Sequence, residues 1–232
     1  MCDRAHCRDM PYRLPSTISY GFIDAGAVVL DLASDRYLRL GREQAVALRA
    51  LGDERAGGDH RAAIDALLAR GLLVEGQGSV GPVAAETVRS SALECSREPT
   101  RHADAVQGLS FAEILLARYA AARSMRRAGL ASTIGRWRQI RAHGAHRNRA
   151  SGGLAELAKR YHHGLRYYPA KRRCVPDSLG LMRCLWRRGH DADLYFGVRL
   201  DPFAAHCWVQ AGDLLLTDPV DSVAEFTPVF RL

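Results

Sequence analysis

Cys174-Val175-Pro176-Asp177-Ser178-Leu179, followed further on by His206-Cys207-Trp208-Val209-Gln210-Ala211-Gly212-Asp213-Leu214-Leu215-Leu216-Thr217-Asp218-Pro219, decides how this chain folds. Proline is tolerated in the first turn of a helix and excluded deeper inside, so Pro176 predicts a helix beginning at Cys174 or Val175. Leu179, Met182, Leu185 and Trp186 then recur at helical spacing, and Gly189 predicts its end. Three β-prone runs follow: Asp193 to Leu200, His206 to Gln210, and Leu214 to Thr217. Ala211-Gly212-Asp213 has the composition of a tight hairpin turn between the last two. A turn centred on Gly212 sets His206 opposite Asp218.

That order gives three residues a chemical meaning. A helix N-terminus and a neighbouring imidazolium both favour a thiolate, and Cys174 stands at the predicted helix start. Lys171, Arg172 and Arg173 add positive charge just before it. Cys184 lies deep in the same helix and Cys207 within a strand, so neither has this setting. A carboxylate facing a histidine across a hairpin fixes the imidazole tautomer, which is the work expected of Asp218 on His206. Taken singly, each residue also has a structural reading: a buried thiol, a strand-end histidine, a turn aspartate. The joint placement favours a cysteine nucleophile with His206 as general base.

Working outward, Ser110-Phe111-Ala112-Glu113 fits a capping box: the serine caps the Glu113 amide and the glutamate reaches back. A helix is expected from there to about Arg127, stopped by Gly129. Further helices are expected over about 131–142 and 153–166. Residues 76–108 read as a linker, with Gly76, Gly78, Gly81 and Pro82 at its start. Residues 12–75 read as a small unit of three strands (Ile18 to Ile23, Val28 to Leu32, Tyr37 to Leu40) and two helices. Its second helix carries Ile64, Leu67 and Leu68, is capped by Asp59 and is closed by Gly71. Three strands and then helices in so short a stretch have the size and order of a winged-helix-like binding module.

Composition sets the boundaries. The chain has 232 residues, 47% of them hydrophobic, which is enough for a packed core without disulfides. The six cysteines are therefore read as reduced thiols of a cytoplasmic protein. No signal-peptide stretch opens the chain, and no run approaches the ~18 apolar residues that cross a bilayer. The net charge of +8 is uneven: residues 81–173 hold 18 Lys and Arg against 6 Asp and Glu. Without interleaved aromatics or a DNA-binding motif, this stripe reads as a solvated arginine-rich helix face rather than a nucleic-acid site, or else as a docking surface for an acidic partner. Cys2, His6 and Cys7 lack the second half of a zinc site. His162 and His163 are adjacent on a helix and make a poor chelate. No phosphate-binding glycine loop is present. No metal, cofactor, nucleic acid or membrane is expected.

The stretches Cys174 to Leu179, Arg188-Gly189-His190-Asp191-Ala192, Phe196-Gly197-Val198 and Pro202-Phe203-Ala204-Ala205-His206-Cys207-Trp208-Val209 resemble the lasso-peptide maturation peptidases. These are transglutaminase-like B proteins that remove the leader from a ribosomally made precursor. The resemblance covers roughly residues 110–232. Residues 12–75, above all Val28 to Leu40, resemble the precursor-peptide recognition element of such pathways. Two positions depart from the family: Gln210 stands where an acidic residue is common, and Asp177 where a basic or neutral one is.

The resemblance implies an α+β chain in three parts. These are a winged-helix-like recognition module (1–80), a linker (81–108) and a papain/transglutaminase-like cysteine protease domain (109–232). It implies that the leader adds as a strand along Tyr37, Leu38, Arg39 and Leu40, its apolar side chains in a groove of Ile64, Leu67 and Leu68. It implies Cys174, His206 and Asp218 as catalytic residues. It also implies two partners, the precursor leader and an ATP-dependent, asparagine-synthetase-like lasso cyclase. Two other readings remain open: an amidase or acyltransferase using the same three residues, and a non-catalytic leader-binding chaperone.

Overall fold

The computed structural model describes residues 12–52, 60–94, 109–144 and 153–232. They fall into two compact units: Met1–Ala84 with Thr227–Phe230, and Ala85–Phe226 with Arg231 and Leu232. Cys2, His6, Cys7, Asp59 and Cys95 lie outside the described residues.

In the first unit, β1 (Tyr12–Arg13) pairs with β5 (Val74–Glu75). β2 (Ile18–Ile23), β3 (Gly26–Asp31) and β4 (Arg36–Leu40) form an antiparallel meander with β3 in the middle. The turn into β4 is held by the Asp31 carboxylate, which accepts from the Ala33 amide and the Ser34 hydroxyl. Helices α1 (Arg42–Gly52) and α2 (Arg61–Ala69) follow, and Gly71, at φ 67°, turns the chain out of α2. One core gathers Ile18, Tyr20, Val29, Leu40, Leu48, Leu67 and Leu73. The Tyr20 hydroxyl, buried among them, donates to the Val80 carbonyl at 2.7 Å.

The second unit is built around α5 (Cys174–Arg187), starting where Pro176 predicts and ending at Gly189, φ 78°. Every residue from Pro176 to Met182 is buried. α3 (Phe111–Gly144) packs along it and is broken at Gly129, φ 74° and ψ 178°, as the sequence suggests. α4 (Leu154–Leu165) completes the helical layer. Two buried donors bond to α5 carbonyls: Trp137 Nε1 to Leu179 at 3.0 Å and the Tyr161 hydroxyl to Asp177 at 2.9 Å. Gly180 makes the close approach possible, since a Cβ there would overlap the Tyr161 hydroxyl and crowd the Arg118 backbone.

Against α5 lies a sheet of β7 (Asp193–Leu200), β8 (Phe203–Ala211) and β9 (Leu214–Leu215), antiparallel in sequence order. β6 (Ser90–Ser91) pairs parallel to β9. A short helix, α6 (Val220–Ala224), follows β9, and β10 (Thr227–Arg231) brings the chain to Leu232, which exchanges backbone bonds with Leu194. Among the described residues no helix is long and apolar enough to cross a membrane.

Several expectations need correction. Ser90–Ser91 is a strand, so the stretch expected to be linker is partly sheet. Two residues give no periodicity to read. The capping box at Ser110 is half formed: Ser110 Oγ accepts from the Glu113 amide at 3.2 Å, but the glutamate makes a two-pronged ion pair with Arg188 at 2.7 and 2.8 Å. A guanidinium offers that carboxylate more than one backbone amide does. The basic stripe is not simply a solvated face either. Arg118 is 3% exposed and bonded to Asp177, and Arg141 bridges Asp191 and Asp193.

Candidate active site

Cys174 occupies the first position of α5, where the first-turn amides have no partner inside the helix. Asp177 prepares this start. Its carboxylate accepts from Arg118 Nε at 2.7 Å, from Arg172 Nε at 2.6 Å and from the Arg173 amide at 3.3 Å. It thereby fixes the strand-like approach of Arg173 (φ −144°, ψ 125°) and turns the chain into the helix with Cys174 at the surface. Arg172, one of the three basic residues before Cys174, directs its guanidinium to Asp177.

His206 comes from β8. Its Nε2 lies 3.0 Å from Asp218 Oδ1, which leaves Nδ1 as the ring nitrogen for Cys174. The Trp208 ring stacks at 6.3 Å on one side and the Phe226 ring sits at 5.5 Å. The sequence brings His206 and Asp218 together, but by a register that is off by one. The turn holds two residues, Gly212 and Asp213, with Gly212 at φ 60°, so Ala211 pairs with Leu214 and Gln210 with Leu215. Carried onward, that register would set His206 against Pro219. The ladder stops first: Leu216 still donates to the Val209 carbonyl, but the Val209 amide donates to the Thr217 hydroxyl at 2.9 Å. The chain leaves the strand there, and Asp218 turns to the histidine. Ser91 Oγ pins the turn by donating to the Asp218 carbonyl at 2.7 Å.

The side chains bias one another electrostatically. The Cys174 thiol is brought down to about 5, first by a hydrogen bond from Cys207 and then by His206 and the Val175 amide, against the opposing effect of burial. His206 is raised to about 9 by its hydrogen bonds to Asp218 and Cys174. Burial works against ionisation of Asp218, yet bonds from His206 and Thr217 hold it below the usual carboxylate range. Between pH about 5 and about 9 the site therefore holds a thiolate, an imidazolium and a carboxylate in line. Such a set adds a thiolate to an acyl carbon and returns a proton to the leaving group.

These residues line a cleft of about 210 Å³ with Tyr161, His162, Arg172, Arg173, Asp177, Ser178, Cys207 and Thr217. Four contributors escape the sequence reading. Cys207 bonds to the Cys174 sulfur. Asp177 anchors the helix start and Ser91 the Asp218 turn. His162 is held at about 4 by burial and by repulsion from Arg172, so it is neutral at pH 7, and among the described residues its buried Nε2 has no hydrogen-bond partner. The departure at Gln210 is structural. Its amide bonds to the carbonyls of Glu86 and Gly212 and accepts from Trp208 Nε1, tying the hairpin to the chain before β6.

Tyr37, Leu38, Arg39 and Leu40 lie on β4, an edge strand of the first unit's meander. Leu40 and Leu67 are 1% and 0% exposed and belong to the core, so Leu67 does not line a groove. Helical geometry turned it inward, leaving Ile64 and Leu68 half-buried. Among the described residues no cluster of three His, Cys, Asp or Glu is placed to hold a metal ion.

Comparison with the curated proteins and with the solved structures gives no significant match. A family model described as Transglutaminase-like superfamily matches residues 113–231. That superfamily generally contains Cys-His-Asp, cysteine-protease-like enzymes, and the match runs from the start of α3 to the end of β10, taking in all three residues of the cluster. On that match, over more than half its length, the chain belongs to the transglutaminase-like superfamily.

Proposed function

We propose that this chain is a cysteine peptidase that binds the leader of a ribosomally made lasso-peptide precursor and hydrolyses the leader–core bond. One observation carries the chemistry: Cys174, at a helix N-terminus, lines one cleft with a histidine whose Nε2 is held by Asp218 at 3.0 Å. The thiolate adds to the last leader carbonyl, and the oxyanion is stabilised by the Cys174 amide at the helix start. The imidazolium of His206 protonates the core nitrogen as the C–N bond breaks. The leader is then a thioester on Cys174. Neutral His206 takes a proton from water, the hydroxide adds to the thioester, and the thiolate departs with the leader carboxylate released. The freed core amine passes to an ATP-dependent, asparagine-synthetase-like cyclase.

Selectivity is assigned to the first unit. An edge strand accepts an extended peptide through backbone bonds, and the half-buried Ile64 and Leu68 are assigned the apolar contacts with the leader. The winged-helix-like reading of this unit and the role of β4 rest on the family resemblance together with that edge position. The superfamily match also suits acyl transfer to an amine in place of water.

The test is to incubate the purified chain with a lasso-type precursor, with and without the cyclase, and weigh the fragments. Wild type is expected to give free leader carboxylate and free core amine, and Cys174→Ala to give neither. Equal cleavage by the two overturns the reading. A leader joined to an added amine points to acyl transfer, and precursor binding without turnover points to a chaperone. Leu38→Asp is expected to weaken leader binding while leaving Cys174 alkylation unchanged.

A further inference from the structure

The strand that carries His206 carries a second thiol one residue later. Alternation along β8 turns Cys207 away from the histidine and toward the interior, where it is 1% exposed. It lines the same cleft as Cys174 and Ser178, and its thiol hydrogen-bonds both to the Cys174 sulfur and to Ser178. One cleft of about 210 Å³ thus holds two thiols, Cys174 exposed and Cys207 buried. A small buried hydrophobe would explain a cysteine at this place. It would not require the side chain to line the nucleophile's cleft.

We propose that Cys174 and Cys207 form a dithiol/disulfide pair whose co-reactant is a peroxide, so that oxidation closes the site reversibly. This rests on the reading of Cys174 as the nucleophilic thiolate. The thiolate attacks one peroxide oxygen, the O–O bond breaks, and Cys174 becomes a sulfenic acid while the other oxygen leaves as hydroxide or alkoxide. The Cys207 sulfur then attacks the sulfenic sulfur. The S–O bond breaks, and the leaving hydroxide takes the Cys207 proton as water. Two sulfurs have lost two electrons and one peroxide has gained them. A disulfide needs Cα atoms about 4.4–6.8 Å apart, so the cross-link reads directly how closely the shared cleft brings the two backbones.

The physical setting separates the roles. Cys174 is exposed and ionised, so peroxide meets it first. Burial pushes the Cys207 thiol well above its ordinary value, so it stays protonated and unreactive until a sulfenic acid stands beside it. Cys184 is not an alternative partner: it lies ten positions along α5, about 15 Å of helix from Cys174. Without Cys207, the sulfenic acid has no neighbouring thiol in the cleft among the described residues and runs on to sulfinic acid, which small thiols do not reverse.

The experiment treats the purified full chain with hydrogen peroxide, blocks free thiols, digests it and maps cross-linked peptides by mass. Wild type is expected to yield a Cys174–Cys207 cross-link two hydrogens lighter than the parent peptides, with full recovery of Cys174 alkylation after dithiothreitol. Cys184→Ala should give the same cross-link. Cys207→Ala should lose most of its recoverable Cys174 to sulfinic acid. Irreversible oxidation of Cys174 in the wild type, or a cross-link to any other cysteine, overturns the proposal. The readout does not use peptidase activity. A cross-link in a chain that cleaves no precursor sinks only the peptidase reading, whereas failure of Cys174 to react with peroxide and alkylator sinks both.

Discussion

The two ends of α5 hold the same side chain in opposite states. Cys174, exposed at the first position, is brought to about 5 by bonds from Cys207, His206 and a backbone amide. Cys184, 2% exposed in the third turn, is pushed up to about 12 by burial and by the nearby Glu113 carboxylate. Both sit on one continuous helix, so helix membership does not decide a thiol's reactivity. Position along the helix does, because only the first turn offers unpaired amides and only there does the sheet deliver an imidazole. The rest of α5 supplies rigidity: it is packed by Trp137 and Tyr161 and carries no ionised group at Cys184.

The contrast is broken most severely at Asp218. Asp218→Asn keeps the shape but removes the charge that holds the His206 proton, and kcat/KM for precursor cleavage should fall by about 10⁴-fold. A rate near wild type would mean that Asp218 only shapes the turn. Next is Asp177, which ties the start of α5 to Arg118 in the interior. Asp177→Ala strands a buried guanidinium and should cost about 3–5 kcal/mol in urea unfolding. Glu156→Ala, which breaks the half-exposed pair with Arg160 on α4, should cost no more than about 0.5 kcal/mol. Equal losses would show that Asp177 is no more than a surface ion pair. Gly180→Ala, where the added methyl meets the Tyr161 hydroxyl, lies between those two. About 1–3 kcal/mol is expected, read as a lower Tm.

How much of this was legible in the sequence differs between the same regions. The start of α5 was, because Pro176 excludes every position but the first turn. So were the break at Gly129 and the Ser110 cap, which are local signals a few residues wide. The hairpin was legible only in outline. Composition marks a turn at 211–213 but does not count its residues, and the one-residue difference reverses which side chains share a face. Asp218 still reaches His206 because Thr217 ends the ladder, a choice made by a side-chain hydroxyl. Contacts across long separations were out of reach: Ser91 to Asp218, Arg118 to Asp177, Cys207 to Cys174. Each joins residues that have no pattern in common until the fold brings them together. In the first unit the strands and helices were readable, but which face of α2 becomes core was not, and Leu67 proved to be inside.

The pH dependence of Cys174 alkylation, resolved by peptide mass in wild type and in His206→Ala, tests the central claim most directly. In the wild type reactivity should appear as pH rises through about 5 and hold to about 9, since Cys207 and the imidazolium of His206 together stabilise the thiolate through that window. Removing the imidazole should move the rise upward, toward the ~8.5 of a free thiol. A wild-type rise already near that free-thiol value, unchanged in His206→Ala, would contradict the pairing of a Cys174 thiolate with the His206 imidazolium.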